Sequence, residues 1–273
     1  MEKNLQMAAV IVFFHGTDNV IKLINNISES TNKIIVINNG SDKASDKVLE
    51  VVRMMPNVRV IDNETNMGIA YALNQGLYYA QEECCHFLLT MDQDSIISNT
   101  DVIRLKESLE TDNVASVGTY YSTITNSINR EVDYLITSGN MVKVDVALAI
   151  GGYNECLFID SVDIEFSFRL RRQGYKLLLV KDTHLCHKIG ELEYSPLLKI
   201  GYLSHNKNRF YYKFRNAQYT IDCYFKTFPI QCAKMQLCLW KDFAKIILIE
   251  KNKKEKLKSA IKGLRDVRTL KLQ

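Results

Sequence analysis

Two carboxylates, those of Asp92 and Asp94, flank Gln93 directly after a short apolar run. The run, residues 86–91, has the composition of a buried strand. Because burying a charge without a partner is costly, we expect a positive group beside this pair, and a divalent cation is the simplest one. On spacing alone, a solvated acidic turn is the favoured interpretation. Whether the pair is a cation site or a solvated turn depends on the elements around it.

The first ninety residues alternate between apolar runs and helical patterns. The predicted strands are residues 7–14, 34–37, 58–61 and 86–91, and the predicted helices between them cover residues 20–27, 45–54 and 69–80. This alternation predicts an α/β fold with a Rossmann-like, mostly parallel central sheet. In such sheets, ligands bind beyond the carboxyl ends of the strands.

The segments that follow the four strands are rich in glycine, amides, hydroxyls and carboxylates. They are residues 15–17, 38–42, 63–68 and 92–94. Since the carboxyl ends of parallel strands meet at one edge of a sheet, these segments are predicted to form one ligand-facing rim. Their position reverses the preference for a solvated turn at Asp92 and Asp94.

The second half of the sequence is less regular. Its predicted elements are a helix at 101–110, a strand at 114–119, a hairpin at 120–129, a strand at 136–142 with a tight turn at Gly139, a helix at 145–150 and a strand at 176–180. Asp160 is predicted to cap a further helix, which would place Asp163 in the first turn. A carboxylate there compensates the helix dipole, which gives Asp163 a structural interpretation.

Two histidines, His184 and His187, lie in a polar segment after the last of these strands. A single histidine is more often structural than a ligand. Two in one polar segment favour a ligand role slightly more, because neutral imidazole binds metals.

The composition indicates a folded cytoplasmic protein. The 273 residues are 47% hydrophobic and 24% charged, with only three prolines. The seven cysteines include no Cys-x-x-Cys pair, so a disulfide framework or zinc knuckle is disfavoured and a reducing compartment is favoured. We expect no signal peptide, and no apolar run approaches the roughly 18 residues of a membrane-spanning helix.

The positive charge is concentrated at the end of the chain. Residues 241–273 hold eleven basic and four acidic residues, a net charge of +7, so the first 240 residues carry −3 of the total of +4. Apolar stripes run through residues 240–248 and 257–264. A pair of helices packed on the domain is the favoured interpretation, and an amphipathic surface at an anionic membrane is the alternative. Nucleic-acid binding is disfavoured, because no basic stripe runs through the rest of the sequence.

Several ordered motifs, each weak alone, together resemble one family. They lie at residues 37–41, 66–76, 92–94, 138–140, 151–155, 158–166, 174–175, 187–190 and 211–216. In order and spacing they resemble family 2 glycosyltransferases with a GT-A fold, and within them the rhamnosyltransferase-like group. The resemblance covers about residues 7–225. We therefore predict a GT-A domain at 1–225 and a basic amphipathic helical extension at 226–273.

The resemblance implies roles for individual residues. Asp94 and His187 would bind Mg²⁺ or Mn²⁺, and Asp163 would be the general base, with Asp160 as the alternative. The implied donor-binding residues are Phe14, His15, Gly16, Asn38, Asn66, Gly68, Asn74 and Asp92. Asn38 stands where the family usually has aspartate, so contact with the nucleotide base would lack charge assistance.

The function implied by this resemblance is inverting, metal-dependent transfer of L-rhamnose from dTDP-L-rhamnose to an acceptor hydroxyl, in bacterial O-antigen or capsule assembly. The implied acceptor is a saccharide or lipid-linked saccharide, with the basic tail at the inner face of the cell membrane. A UDP-hexose or galactofuranose donor is the alternative. A non-catalytic nucleotide-sugar-binding protein is disfavoured, because Asp92, Asp94, Asp163 and His187 are all present.

Overall fold

An eight-stranded sheet forms the centre of the larger part of the chain. Its strands are β1 (Met7–Phe13), β2 (Lys33–Asn39), β3 (Val58–Asn63), β4 (Phe87–Asp92), β6 (Val114–Tyr120), β7 (Arg130–Glu131), β8 (Asn140–Lys143) and β9 (Lys176–His184), and two further short strands, β5 (Ser95–Ile96) and β10 (Cys186–His187), lie outside it. The sheet order is β3-β2-β1-β4-β8-β6-β9-β7, and β5 pairs separately with β10. Strands β1 to β4 are mutually parallel, as are β6 and β9, whereas β8 is antiparallel to both neighbours. The predicted, mostly parallel α/β fold is therefore confirmed.

Among the residues that the structure describes, six helices accompany these strands. They are α1 (Asn19–Ile27), α2 (Asp46–Arg53), α3 (Ile69–Glu82), α4 (Asn99–Leu109), α5 (Val144–Ala149) and α6 (Val162–Arg172), with 3-10 turns at Lys43–Ser45 and Glu155–Leu157. Strand β1 is buried on both faces, which explains its continuous apolar run. The buried face of α1 consists of Val20, Leu23, Ile24 and Ile27, as its spacing predicts.

The computed structural model describes residues 5–120, 128–187, 192–194, 201–203 and 206–270. The chain divides into two compact units. The first comprises Met1–Glu155 and Phe166–Lys188, and the second comprises Cys156–Glu165 and Ile189–Gln273. Most of the hairpin predicted at 120–129 lies outside the described residues.

Helix α6 begins later than predicted. It starts at Val162 because Phe158, Asp160 and Ser161 all have left-handed φ angles, of 62°, 63° and 63°. The prediction that Asp160 caps this helix is wrong. Its carboxylate pairs instead with Arg209, whose Nη2 lies 3.2 Å from Oδ1.

The described residues of the second unit form three long helices and two short antiparallel strands. They are α7 (Lys207–Tyr224), α8 (Pro229–Leu248), α9 (Lys253–Leu270), β11 (Leu192–Tyr194) and β12 (Gly201–Leu203). At Gly263 an added Cβ would collide with the carbonyl oxygen of Tyr211, so only glycine allows α9 to lie this close to α7. Burial and a hydrogen bond to Asp266 raise the pKa of the Tyr211 hydroxyl.

The predicted C-terminal extension corresponds to α8 and α9, which belong to the same unit as α7. The domain boundary after residue 225 stays a prediction. Within the described ranges, no helix combines the length and apolar character needed to cross a membrane.

Candidate active site

The predicted rim lies at one edge of the sheet. In the registers of the parallel strands, Phe13 is paired with Asn38, Asn38 with Asp62, and Val12 with Asp92. The ends of β1 to β4 therefore finish at nearly the same level, so the polar segments that follow them emerge side by side. This is the arrangement that the alternation of strands and helices predicts.

The middle residue of the Asp92–Asp94 segment connects two strand ends. The Gln93 amide accepts a hydrogen bond from the Phe14 backbone N–H (2.8 Å) and donates one to the Phe14 carbonyl oxygen (3.0 Å). A Cβ on Gly16 would collide with the Phe13 ring and the Gln93 amide, so a larger residue there would have to displace them. Phe14, His15 and Gly16 are thus held beside the carboxylate pair. Sequence reasoning missed Gln93, since nothing in its type distinguishes it from a solvent-exposed glutamine.

His15 connects the segment after β1 to the segment after β2 by hydrogen bonds. Its backbone N–H donates to Ser41 Oγ (3.0 Å), and its Nδ1 accepts from the Asp42 N–H (3.2 Å). The imidazole lies against the Phe14 ring, with centroids 3.9 Å apart, and is 44% exposed. Both rings of the predicted nucleotide-facing pair are therefore accessible and fixed in position.

Hydroxyl groups fix the turn that carries Asp94. The Asp92 N–H donates to Ser138 Oγ (3.1 Å), and Ser138 donates to Ser95 Oγ (2.8 Å). Both serines are buried, whereas Asp92 and Asp94 are half-buried. The serine hydroxyls thus support the turn that carries the two half-buried carboxylates.

Strands β5 and β10 bring two predicted metal ligands together. They pair antiparallel with His187 opposite Ser95, the residue after Asp94. Asp94 and His187 therefore lie on adjacent backbone segments although they are distant in sequence. The side chain of His187 is outside the described part of the structure. Among the described side chains, no group of three histidine, cysteine or acidic residues gathers to hold a metal. Two carboxylates on one fixed turn nevertheless suit a hard cation such as Mg²⁺ or Mn²⁺.

Asn39 organises the segment between β3 and α3. Its side-chain amide donates to Asn66 Oδ1 and to the Gly68 carbonyl oxygen (both 3.2 Å), and its Oδ1 accepts from Asn63 Nδ2 (3.1 Å) and the Met67 N–H (3.0 Å). These four bonds use the full capacity of an amide that is only 2% exposed. Sequence reasoning selected its neighbour Asn38 instead.

The three donor-binding residues predicted near α3 have different surroundings. Asn66 is exposed and accepts from the Gly68 N–H (2.9 Å). Gly68 has φ +87° and ψ 162°, a conformation essentially restricted to glycine. Asn74 is buried, and its amide is bonded to both backbone groups of Tyr153 and to Glu155. Asn74 therefore fastens the turn after α5, and its contact with a donor stays a prediction.

Asn38 lies next to the ion pair of Arg53 with Asp62, where an amide fits better than a second carboxylate. Its Nδ2 donates to Asp62 Oδ1 at 2.8 Å, and the Arg53 guanidinium contacts both Asp62 oxygens at 2.8 Å. Burial raises the pKa of the Asp62 carboxyl, but the bonds from Arg53 and Asn38 outweigh it and leave the pKa below its usual value. Aspartate at position 38 would put a second carboxylate against Asp62.

Replacing Asn38 with aspartate should destabilise the protein by about 1 kcal/mol near neutral pH, because two half-exposed carboxylates would meet. The loss should shrink as the pH falls toward 4, where one carboxyl becomes protonated. The stabilisation from Asp62 in the parent has the opposite dependence: it is present at neutral pH and is lost in acid, since its folded-state pKa is lowered. Thermal unfolding across pH measures both.

The exchanged variant, Asn38→Asp with Asp62→Asn, is the control for this experiment. It restores one amide and one carboxylate, so it should recover most of the lost stability. Equal stability of Asn38→Asp and the parent at neutral pH would show that the two positions do not interact.

In the second unit, buried polar groups hold the segment that precedes Asp163. Asn216 is fully buried, and its Nδ2 donates to the carbonyl oxygens of Leu157, Ile159 (2.6 Å) and Asp160 (3.1 Å). Arg215 donates to Asn216 Oδ1 (2.8 Å) and to the Cys156 carbonyl oxygen (2.8 Å). These bonds stabilise the left-handed residues that set where α6 begins. Sequence reasoning identified the 211–216 motif but not this function.

Asp163 lies in the first turn of α6, as predicted. It is half-buried, and its Oδ1 accepts from the Ile164 N–H at 2.9 Å. Two residues later, the buried Glu165 accepts from the Tyr224 hydroxyl at 2.8 Å, which ties this turn to α7. Asp160, the alternative base, is ion-paired with Arg209.

Sequence comparison identifies a family and a relative of this chain. The family model for glycosyl transferase family 2 matches residues 9–177. The dTDP-rhamnosyl transferase RfbF of Shigella flexneri is 27% identical over 239 residues, which cover 78% of this chain and 79% of that protein.

Solved structures with the same fold are distant in sequence. GalNAc-T7 with UDP, GalNAc and Mn²⁺ has a TM-score of 0.68 at 14% identity over 98% of this chain, which spans 57% of that longer chain. The mannosyltransferase PcManGT of Pyrobaculum calidifontis, with GDP-Man and Mn²⁺, has a TM-score of 0.64 at 11% identity over 98% of this chain and 76% of that one. TarS of S. aureus with UDP-GlcNAc has a TM-score of 0.61 at 12% identity, over 96% of this chain and 81% of that one. Since the family model spans well over half of the sequence and these neighbours share its sheet, the chain belongs to glycosyl transferase family 2 and is a glycosyltransferase with a GT-A fold.

Proposed function

We propose that this protein is an inverting, metal-dependent transferase that moves L-rhamnose from dTDP-L-rhamnose to an acceptor hydroxyl. The observation that carries the proposal is the rim, where Asp92 ends β4, Asp94 lies in the turn that follows, and the backbone of His187 pairs with Ser95, the next residue. The likeness to the Shigella protein supports the choice of rhamnose and deoxythymidine diphosphate.

In this proposal Asp94 and His187 hold the cation, and Asp92 contacts the donor. When bound, Mg²⁺ or Mn²⁺ stabilises the negative charge that develops on the leaving nucleoside diphosphate. The Mn²⁺ present in two of the structural neighbours supports a divalent metal. Phe14, His15, Gly16, Asn38, Asn66, Gly68 and Asn74 complete the proposed donor site.

Asp163 is the proposed general base. A bond forms between the acceptor oxygen and the anomeric carbon while the bond from that carbon to the phosphate oxygen breaks. The hydroxyl proton passes to the Asp163 carboxylate, and the electron pair leaves with the nucleoside diphosphate. One displacement of this kind inverts the anomeric configuration without a covalent intermediate.

The acceptor in this proposal is a saccharide or lipid-linked saccharide of a bacterial surface polysaccharide, such as an O-antigen or capsule. The reaction would take place in the cytoplasm, at the inner face of the membrane. Incubating the protein with candidate lipid-linked saccharides and labelled donor, followed by mass spectrometry of the product, tests this part of the proposal.

A panel of nucleotide sugars tests the donor. With Mn²⁺ present, dTDP-L-rhamnose should raise the unfolding temperature more than UDP-glucose, UDP-galactofuranose or GDP-mannose does. A donor at about 100 times its dissociation constant adds roughly 2.7 kcal/mol, a shift of several degrees for a chain of this size. A larger shift with a UDP sugar would replace the rhamnose assignment, and no shift with any donor would refute the transferase site.

Asp94→Asn should abolish the metal-dependent part of this shift, because an amide is a weaker ligand than a carboxylate for a hard cation. The unfolding temperature without donor should change little, since Asp94 is half-buried on a turn that the serines support. Asp112→Asn, at an exposed carboxylate after α4, is the matched control and should leave the shift intact. Metal-dependent stabilisation that persists in Asp94→Asn would remove Asp94 from the ligand set.

A further inference from the structure

Helix α8 exposes a long apolar stripe. Its members are Ile230, Leu237, Trp240, Ile247 and Leu248, which are 66%, 55%, 63%, 47% and 59% exposed. Their spacing of seven, three, seven and one residues keeps them within one half of the helix surface. We call this set the α8 surface. A helix that only packed on its own unit would carry polar residues here.

The opposite face of α8 already has its packing partners. Cys232, Leu239 and Ile246 are buried, and the Phe243 ring meets the Phe214 ring of α7 edge-on at 6.0 Å. The α8 surface is therefore additional to the side that packs in the second unit. The Trp240 ring meets the Phe243 ring edge-on at 6.4 Å, but Trp240 and the other members of the α8 surface stay at least 47% exposed.

The charges beside the stripe have one sign. Lys226, Lys234 and Lys241 are exposed on or next to α8. The only acidic residue of α8 is Asp242, and it is bound by Lys213 of α7 at 2.6 Å. An apolar stripe bordered by lysines complements a lipid bilayer with anionic headgroups, where the stripe enters the acyl boundary and the lysines meet phosphate.

We propose that the α8 surface docks this protein on an anionic membrane, with Trp240 at the level of the headgroups. Exposed tryptophan is typical of such interfaces. A second copy of the chain fits less well, because pairing two α8 surfaces would bring their lysines together. The other C-terminal helix contributes less, since Ala260 and Val267 of α9 are buried in the unit. From the apolar stripes of the sequence alone, α8 and α9 are equally good candidates for membrane contact.

The chain offers an intrinsic probe, because Trp240 is its only tryptophan. Adding phosphatidylglycerol vesicles to the full-length protein should shift the tryptophan emission to shorter wavelength, and brominated lipid should quench it. Pure phosphatidylcholine vesicles should produce a much weaker effect. No sugar donor or acceptor is needed, so failure here is distinguishable from failure of the proposed transferase activity.

Variants separate the apolar and charged contributions. Leu237→Asp should lower the vesicle partition coefficient about tenfold or more, and Lys234→Gln with Lys241→Gln should lower it about fivefold per lysine. Met54→Asp, which makes the same kind of change at an exposed apolar side chain of the first unit, is the matched control and should leave binding unchanged. Circular dichroism confirms that each variant is folded.

Three results would overturn the proposal. One is an emission that does not respond to phosphatidylglycerol vesicles. Another is equal loss of binding in Leu237→Asp and Met54→Asp. The third is an emission shift that depends on protein concentration without vesicles, which would assign the α8 surface to self-association.

Discussion

Replacing Asp163 with asparagine is expected to lower the rate of sugar transfer by about 10²- to 10⁴-fold, the usual contribution of a positioned general base. Asparagine has nearly the same shape but cannot accept the acceptor's proton. Its side-chain oxygen can still accept from the Ile164 N–H, so the first turn of α6 should persist. Donor binding, measured by calorimetry or thermal shift, should be unchanged, because Asp163 is not among the proposed donor contacts.

Asp145→Asn provides the matched control. Asp145 is also in the first turn of a helix, and its Oδ1 also accepts from the N–H of the next residue, Val146, at 2.8 Å. Both variants lose a first-turn carboxylate, but only Asp163→Asn should lose transfer. If Asp163→Asn transferred sugar at the parent rate, the base would have to be another group. A collapse in Asp160→Asn instead would assign the role to Asp160, despite its ion pair with Arg209.

The strands and the rim could be predicted because burial leaves a direct signal in the sequence. A strand covered on both faces must be apolar throughout, as β1 and β4 are. The short polar segment after each such strand then locates the edge at which ligands bind. Local composition and the rules of parallel sheets are therefore enough to locate Asp92 and Asp94 without any knowledge of contacts.

The supporting amides could not be predicted in the same way. Gln93, Asn39 and Asn216 are defined by partners distant in sequence, such as the Phe14 backbone for Gln93. A buried asparagine that uses all its hydrogen bonds has the same letter as an exposed one that binds a ligand. Sequence reasoning therefore gave Asn39 no individual role. Its choice of Asn38 and Asn74 for the donor depends on the family resemblance and stays a prediction.

Backbone geometry imposes a second limit. The left-handed φ angles of Phe158, Asp160 and Ser161 are unusual for residues with a side chain, so local propensity predicts Asp160 as the N-cap of α6 instead. Strands β5 and β10 have two residues each, which is too short for any periodic signal. Their pairing places His187 beside Asp94, and it depends on tertiary structure alone.

The left-handed segment is the basis of a second large effect. Asn216→Leu should destabilise the protein by about 3 kcal/mol, because backbone carbonyl groups and Arg215 Nε would lose their partner. The segment would then relax toward ordinary φ angles and displace the start of α6. A displacement of about 1 Å at a catalytic group can cost 10²-fold, so the folded fraction should transfer sugar about 100 times more slowly.

Ile221→Ala separates the two effects of this change. Ile221 is buried on α7 a little over one turn after Asn216, so its truncation should cost about 2–4 kcal/mol without removing a bond to the segment. Assays below the unfolding transition should then show near-parent specific activity for Ile221→Ala and a strong loss for Asn216→Leu, with donor affinity retained in both. Equal activity in the two variants would mean that Asn216 contributes stability alone and that Asp163 keeps its position without it.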